Sequence, residues 1–179
     1  MMSSLLQGTS FFIISISMKQ THTLDIFIDE TSTILILGSF PSIRSREQGF
    51  YYMHPQNRFY KVLSKIFDED ISSNIDDRKS FLSSHHIALY DVIEECNINN
   101  SDDNSIRDVI PFDIESTLKK YPNIKIIGIT GKKAQKLFDK YLLDKVDIPV
   151  IYLPSTSPAN AKMNIDALVV AYKKLFKNI

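Results

Sequence analysis

The stretch Ile34–Tyr60, "ILILGSFPSIRSREQGFYYMHPQNRFY", decides how the rest of the chain is read. It opens on an apolar run, Ile34–Leu37, with no polar alternation. A strand in a parallel sheet reads this way, because helices cover both of its faces. The residues after Leu37 form neither a plain helix nor a plain strand. Glycines and prolines interrupt them, and Ser, Tyr, His, Gln, Asn and Arg crowd together. In parallel α/β folds, ligands bind beyond the carboxyl ends of the strands. A long aromatic and polar loop leaving a buried strand is therefore a candidate site.

Further apolar runs follow at Ile87–Val92, Ile124–Thr130 and Val150–Leu153. Helical patterns lie between them. Asn57–Phe67 spaces Phe59, Val62, Leu63 and Ile66 by three and four residues, and Asp76–Ser84 is a weaker candidate. Asp113–Tyr121 runs between two prolines, with Asp113 at the cap position. Lys132–Tyr141 follows Gly131, and Asn164–Phe176 carries an apolar stripe through Leu168, Tyr172 and Leu175. Strands alternating with helices predict an α/β fold, a parallel sheet covered by helices on both faces.

The chain has 179 residues, 44% hydrophobic and 23% charged, which predicts one soluble globular domain. We divide it into an N-terminal extension, 1–20, and a single domain, 21–179. The apolar segment Phe11–Ile16 is too short to span a bilayer, and no Lys or Arg precedes it. Met18 is an alternative start. Nothing else points to export, which places the protein in the cytoplasm. The runs Asp68–Asp70, Asp76–Asp77 and Asp102–Asp103 read as solvated loops.

The formal net charge is zero, which argues against coating nucleic acid by bulk charge but leaves room for a local basic face. Arg44, Arg46, Arg58, Lys61 and Lys65 form one such group; Lys132, Lys133 and Lys136 read as a solvated helix face. The single cysteine, Cys96, excludes an internal disulfide and a four-cysteine zinc or iron–sulfur site, and reads as a small buried residue. Four histidines and one cysteine offer no ligand set at metal-binding spacing, so no metal and no cofactor are expected.

Three segments carry chemistry. In Gly38–Ser42, "GSFPS", the glycine permits a tight exit, and hydroxyls with free N–H groups can hold an anion; the same residues also make a simple turn. In Tyr51–Tyr60, "YYMHPQNRFY", Asn57 is a natural helix cap, and the tyrosines are ordinary packing residues. Together, two aromatics, a His and an amide at one strand end still suggest a site. In Leu153–Ala161, "LPSTSPANA", prolines frame hydroxyls suited to backbone phosphates, or simply lead into the last helix.

These segments, with "IALYDVIEEC" and "SIRDV", resemble the hypoxanthine-DNA glycosylase (DNA-deoxyinosine glycosylase) branch of the uracil-DNA glycosylase superfamily. The resemblance runs from Ile34 to the C-terminus with the motifs in family order. "HPQNRFYKVL" is also similar to mismatch-specific uracil-DNA glycosylases. The resemblance implies a three-layer αβα sandwich around a four-stranded parallel sheet. It further implies a monofunctional enzyme that flips a deaminated base out of DNA and hydrolyses its N-glycosidic bond. Hypoxanthine is the expected base, with uracil and xanthine as alternatives. Many relatives place a water-activating Asp or Asn where this chain has Phe40. The resemblance therefore shifts the catalytic role to Asn57. It assigns Ser39, Phe40, Ser42, Tyr52 and Asp91 to the base, with Tyr52 stacking and Asp91 reading the base edge. Arg58, Ser155, Thr156, Ser157 and Asn160 are assigned to DNA. The expected partner is DNA containing deaminated bases, met by a monomer in the nucleoid.

The chemistry is consistent with this set. Hypoxanthine and uracil leave more readily than adenine and cytosine, because their lactams hold the negative charge. Flipping costs a few kcal/mol, least at damaged or mispaired sites. Two other readings compete: a small-molecule nucleoside hydrolase or phosphotransferase on the same scaffold, and a non-catalytic lesion-binding protein, for which Phe40 speaks.

Overall fold

The computed structural model describes residues 18–98 and 106–177. The strand β1 (Met18–Thr21) comes first, followed by β2 (Ile34–Gly38). Helices α1 (Ile43–Gln48), α2 (Phe59–Phe67) and α3 (Ile75–Ser84) lead to β3 (Ile87–Asp91). Then come β4 (Ile93–Ile98), β5 (Arg107–Pro111) and α4 (Ile114–Lys120). The chain closes with β6 (Ile126–Thr130), α5 (Lys132–Tyr141), β7 (Val150–Leu153) and α6 (Ile165–Tyr172).

Strands β3-β2-β6-β7 form a parallel sheet in that order. Every residue of β2 and β3 is buried, as their uninterrupted apolar runs predict. The chain leaves β2 for its neighbour on one side and leaves β6 for its neighbour on the other. Right-handed crossovers then put helices on both faces, and α2 packs on α6. The fold is the expected three-layer sandwich. The reversal also makes a switch point between the carboxyl ends of β2 and β6, where such sheets open a crevice.

The sequence reading misses a second sheet, antiparallel and ordered β1-β4-β5. Its strands "MKQT" and "IEECNI" are polar and carry no buried-strand signature. Only Val92 separates β3 from β4, so the short sheet begins where the long strand ends. Residues 18–20, counted with the N-terminal extension above, pair with β4. Asp76 and Asp77 are not in a loop but in the first turn of α3, where carboxylates favour the helix dipole. Asp102–Asp103 and most of the extension lie outside the described residues. Cys96 is buried. No described helix is long and apolar enough to cross a membrane.

Candidate active site

A cleft of about 440 Å³ opens at the switch point, bordered by the ends of β2, β3 and β6, by the loop that follows β7 and by residues of the Tyr51–Asn57 loop. It falls in the usual size range of small-ligand pockets. Every residue assigned to the site from sequence borders it except Arg58 and Asn160.

Asp91 ends β3 and is buried, 5% exposed. Its Oδ2 accepts a hydrogen bond of 2.9 Å from Nε2 of His22. Its Oδ1 lies over Gly38, so close that a Cβ there would fall far inside van der Waals contact. Gly38 is thus required by the carboxylate's approach. No described residue hydrogen-bonds Oδ1, which leaves an acceptor at the cleft.

Asn57 precedes α2. Its Oδ1 accepts the N–H of Phe59, 2.9 Å, and the hydroxyl of Thr156, also 2.9 Å. The expected helix therefore starts at Phe59, two residues later than Asn57, with Arg58 as its formal cap residue. The side-chain cap is nevertheless made by Asn57. The two donors identify the bonded atom as oxygen and leave the NH₂ group as the part able to serve a ligand. Thr156, assigned to DNA from sequence, is instead 2% exposed and turned inward onto Asn57.

Tyr52 sits at φ 57°, a left-handed conformation that costs a tyrosine about 1–2 kcal/mol. Its ring stacks on Phe59, with centroids 3.9 Å apart and planes 15° apart, and its hydroxyl meets Thr130 Oγ1 at 3.3 Å. Burial, then the nearby Asp91 charge, raises its phenol above the ordinary tyrosine range, so it stays protonated. Strained residues gather at functional sites.

Ser42 caps α1, accepting the N–H of Ser45 at 3.2 Å. Phe40 is buried, edge-on to His22 at 5.9 Å. Ser39 borders the cleft, and its carbonyl accepts from Ile93.

Arg58 is placed differently from the DNA contact expected of it. Its guanidinium donates to the carbonyls of Thr156 (3.4 Å), Ser157 (3.2 Å), Asn160 (2.9 Å) and Met163. Asn160 in turn donates from Nδ2 to the Ser155 carbonyl, 2.9 Å. The fork ties the Ser155–Asn160 loop to the start of α2, beside Asn57. Hydrogen bonds from a charged donor are worth about 1.5–3 kcal/mol each and are not additive. Arg58→Ala should therefore lose at least about 2 kcal/mol, a fall of about 4–8 °C in melting temperature. If Arg58 mainly contacts phosphate, the melting temperature holds and the salt dependence of DNA binding flattens instead.

Sequence reasoning missed His22, Ser45 and Thr130, and it left Lys132 and Lys133 as solvated helix; the last four border the cleft. The lysines were legible by position, since they follow Gly131 at a strand end. Among the described residues, no three His, Cys, Asp or Glu side chains are grouped to hold a metal ion.

A parallel sheet with its cleft at the switch point, bordered by an acid, an amide and an aromatic, defines an α/β protein that takes its ligand beyond the carboxyl ends of the strands. Residues 26–176 match the family model for the uracil DNA glycosylase superfamily. The chain belongs to that superfamily and is a DNA N-glycosylase. It is 36% identical over 110 residues to a hypoxanthine DNA glycosylase of Methanosarcina barkeri, covering 60% of this chain and 68% of the relative. It is 30% identical over 138 residues to a hypoxanthine DNA glycosylase of Methanosarcina acetivorans, covering 76% and 86%. A solution NMR structure of a protein from Methanosarcina acetivorans, described as a candidate uracil DNA glycosylase, superposes with a TM-score of 0.72 at 25% identity. That match covers 89% of this chain and 99% of the other.

Proposed function

We propose that this chain excises hypoxanthine from DNA, receiving the flipped nucleotide in the cleft and hydrolysing its N-glycosidic bond. The observation that carries this reading is Asp91: one carboxylate oxygen held by His22, the other bare of described partners at the cleft. A carboxylate only accepts hydrogen bonds. It pairs with the N1–H of hypoxanthine or the N3–H of uracil, whereas adenine has no hydrogen at N1. The two relatives named hypoxanthine DNA glycosylase support the purine.

Asn57 then serves as a donor. Its NH₂ group holds the oxygen of a water without taking a proton from it. The bond breaks first toward an oxocarbenium-like sugar, charge departs on the lactam, and the held water adds to C1′. The water's proton is lost to solvent as it adds. Ser39, Ser42 and Phe40 shape the wall. Ser155, Ser157, Lys132 and Lys133 face the DNA backbone at the rim. Such contacts position the duplex without reading sequence.

Tyr52 has one ring face on Phe59, so the opposite face is the one to meet the extruded base. Base–aromatic stacking contributes about 1–3 kcal/mol. Tyr52→Ala should slow inosine processing about 10- to 100-fold, and Tyr52→Phe far less. Equal loss in both would move the role to the hydroxyl and its Thr130 contact.

The function itself is tested on labelled duplexes bearing one inosine, uracil, xanthine or adenine, incubated with the protein and then cleaved with alkali. Strand breaks at inosine above the others are expected. Breaks at uracil alone would favour the mismatch-specific uracil reading, and tight binding with no breaks the lesion-binding one.

A further inference from the structure

We infer that His22 is a positioning and specificity-determining residue, holding the Asp91 carboxylate in the one orientation that reads the base. This rests on the base-reading role proposed for Asp91. His22 lies 69 residues from Asp91 in sequence and belongs to neither the parallel sheet nor any motif of the cleft. It immediately follows β1, whose antiparallel pairing with β4 carries it to the end of β3. Its own N–H bonds the Glu94 carbonyl at 2.7 Å, fixing the chain there.

The hydrogen bonds determine its chemical form. Nδ1 accepts the Leu24 N–H at 3.2 Å, so that nitrogen carries no proton. The ring proton is then on Nε2, which donates to Asp91 Oδ2 at 2.9 Å. The side chain is fully buried, and its ring is held by Tyr90 at 4.4 Å and by Phe40 edge-on. Neither rotation nor a second tautomer is open to it without breaking a buried bond. Among the described residues, Asp91 is the charged group bonded to the ring.

The consequence falls on the carboxylate. Oδ2 is occupied by a donor that cannot turn, so Oδ1 is fixed over Gly38 as the acceptor the cleft presents. Without His22, a buried carboxylate rotates freely about its last bond, and its acceptor no longer meets the N1–H reliably. His22 touches no base; it acts through Asp91.

The test compares His22→Asn with His22→Gln. Asparagine keeps a polar atom near Nδ1 for the Leu24 N–H but cannot reach Asp91. Glutamine extends an amide N–H toward the Nε2 position. His22→Asn is expected to lose about 10- to 100-fold in kcat/KM on inosine duplex. His22→Gln should restore most of it. In an Asp91→Ala background, His22→Asn should cost nothing further. The ¹⁵N spectrum of the wild type should show the His22 proton on Nε2. If both variants match the wild type, if glutamine is no better than asparagine, or if the loss persists in the Asp91→Ala background, the inference fails while base reading by Asp91 stands. If Asp91→Ala itself keeps the wild-type rate, the base-reading role fails and takes the inference with it.

Discussion

Asn57→Ser will release hypoxanthine from duplex DNA about 10²–10³-fold more slowly than the wild type, the usual cost of losing one placed donor. It will do so as a folded, DNA-binding protein. Serine caps a helix about as well as asparagine, and its oxygen can still accept the Phe59 N–H that Asn57 holds at 2.9 Å. What serine cannot supply is the NH₂ group. Asn57→Ala removes both functions and should also lose about 0.5–2 kcal/mol of stability. The comparison separates chemistry from capping: circular dichroism melts report the cap, and single-turnover release reports the donor. A wild-type rate for Asn57→Ser would place the water elsewhere in the cleft.

Gly38→Ala should also be damaging, for a steric reason. Gly38 ends β2 with ordinary backbone geometry, so the substitution strains no dihedral. The added methyl would instead occupy the place of Asp91 Oδ1 and come within 3.8 Å of the Tyr52 hydroxyl. The carboxylate must swing away, breaking its alignment with His22. Overpacking of this kind costs about 1–3 kcal/mol. The inosine rate should fall to the level of Asp91→Ala, about 10- to 100-fold. Restoring space should expose the cause: Gly38→Ala combined with Asp91→Ala should be no slower than Asp91→Ala alone. A Gly38→Ala protein with the wild-type rate would mean that Oδ1 does not serve the base.

The parallel strands were legible because burial on both faces leaves runs such as "ILIL" with no alternation. Their order was not, yet alternation of strand and helix was enough to point at the strand ends. The second sheet was illegible: β1 and β4 are rich in polar residues, and their pairing joins segments far apart in the chain. His22 went unseen for the same reason, since its role exists only through that pairing.

Asn57 was half legible. Its position before an apolar helical stripe revealed a cap, but Thr156, 99 residues later, fixes which end of the amide is spent. Arg58 shows the opposite case. Its charge suggested phosphate, whereas the guanidinium fork meets the carbonyls of the Ser155–Asn160 loop. Local chemistry is written in the sequence; the partner that consumes a side chain is set by tertiary contact.

The defining property proposed for the cleft is that it accepts a lactam base and releases it by hydrolysis. It is tested most directly by chromatographic detection of free base under single-turnover conditions. One duplex carries a single deoxyinosine, and a matched duplex carries deoxyadenosine at the same position. Release of hypoxanthine stoichiometric with the enzyme, with no adenine, is the predicted result. Release of neither base, or of both alike, would contradict it.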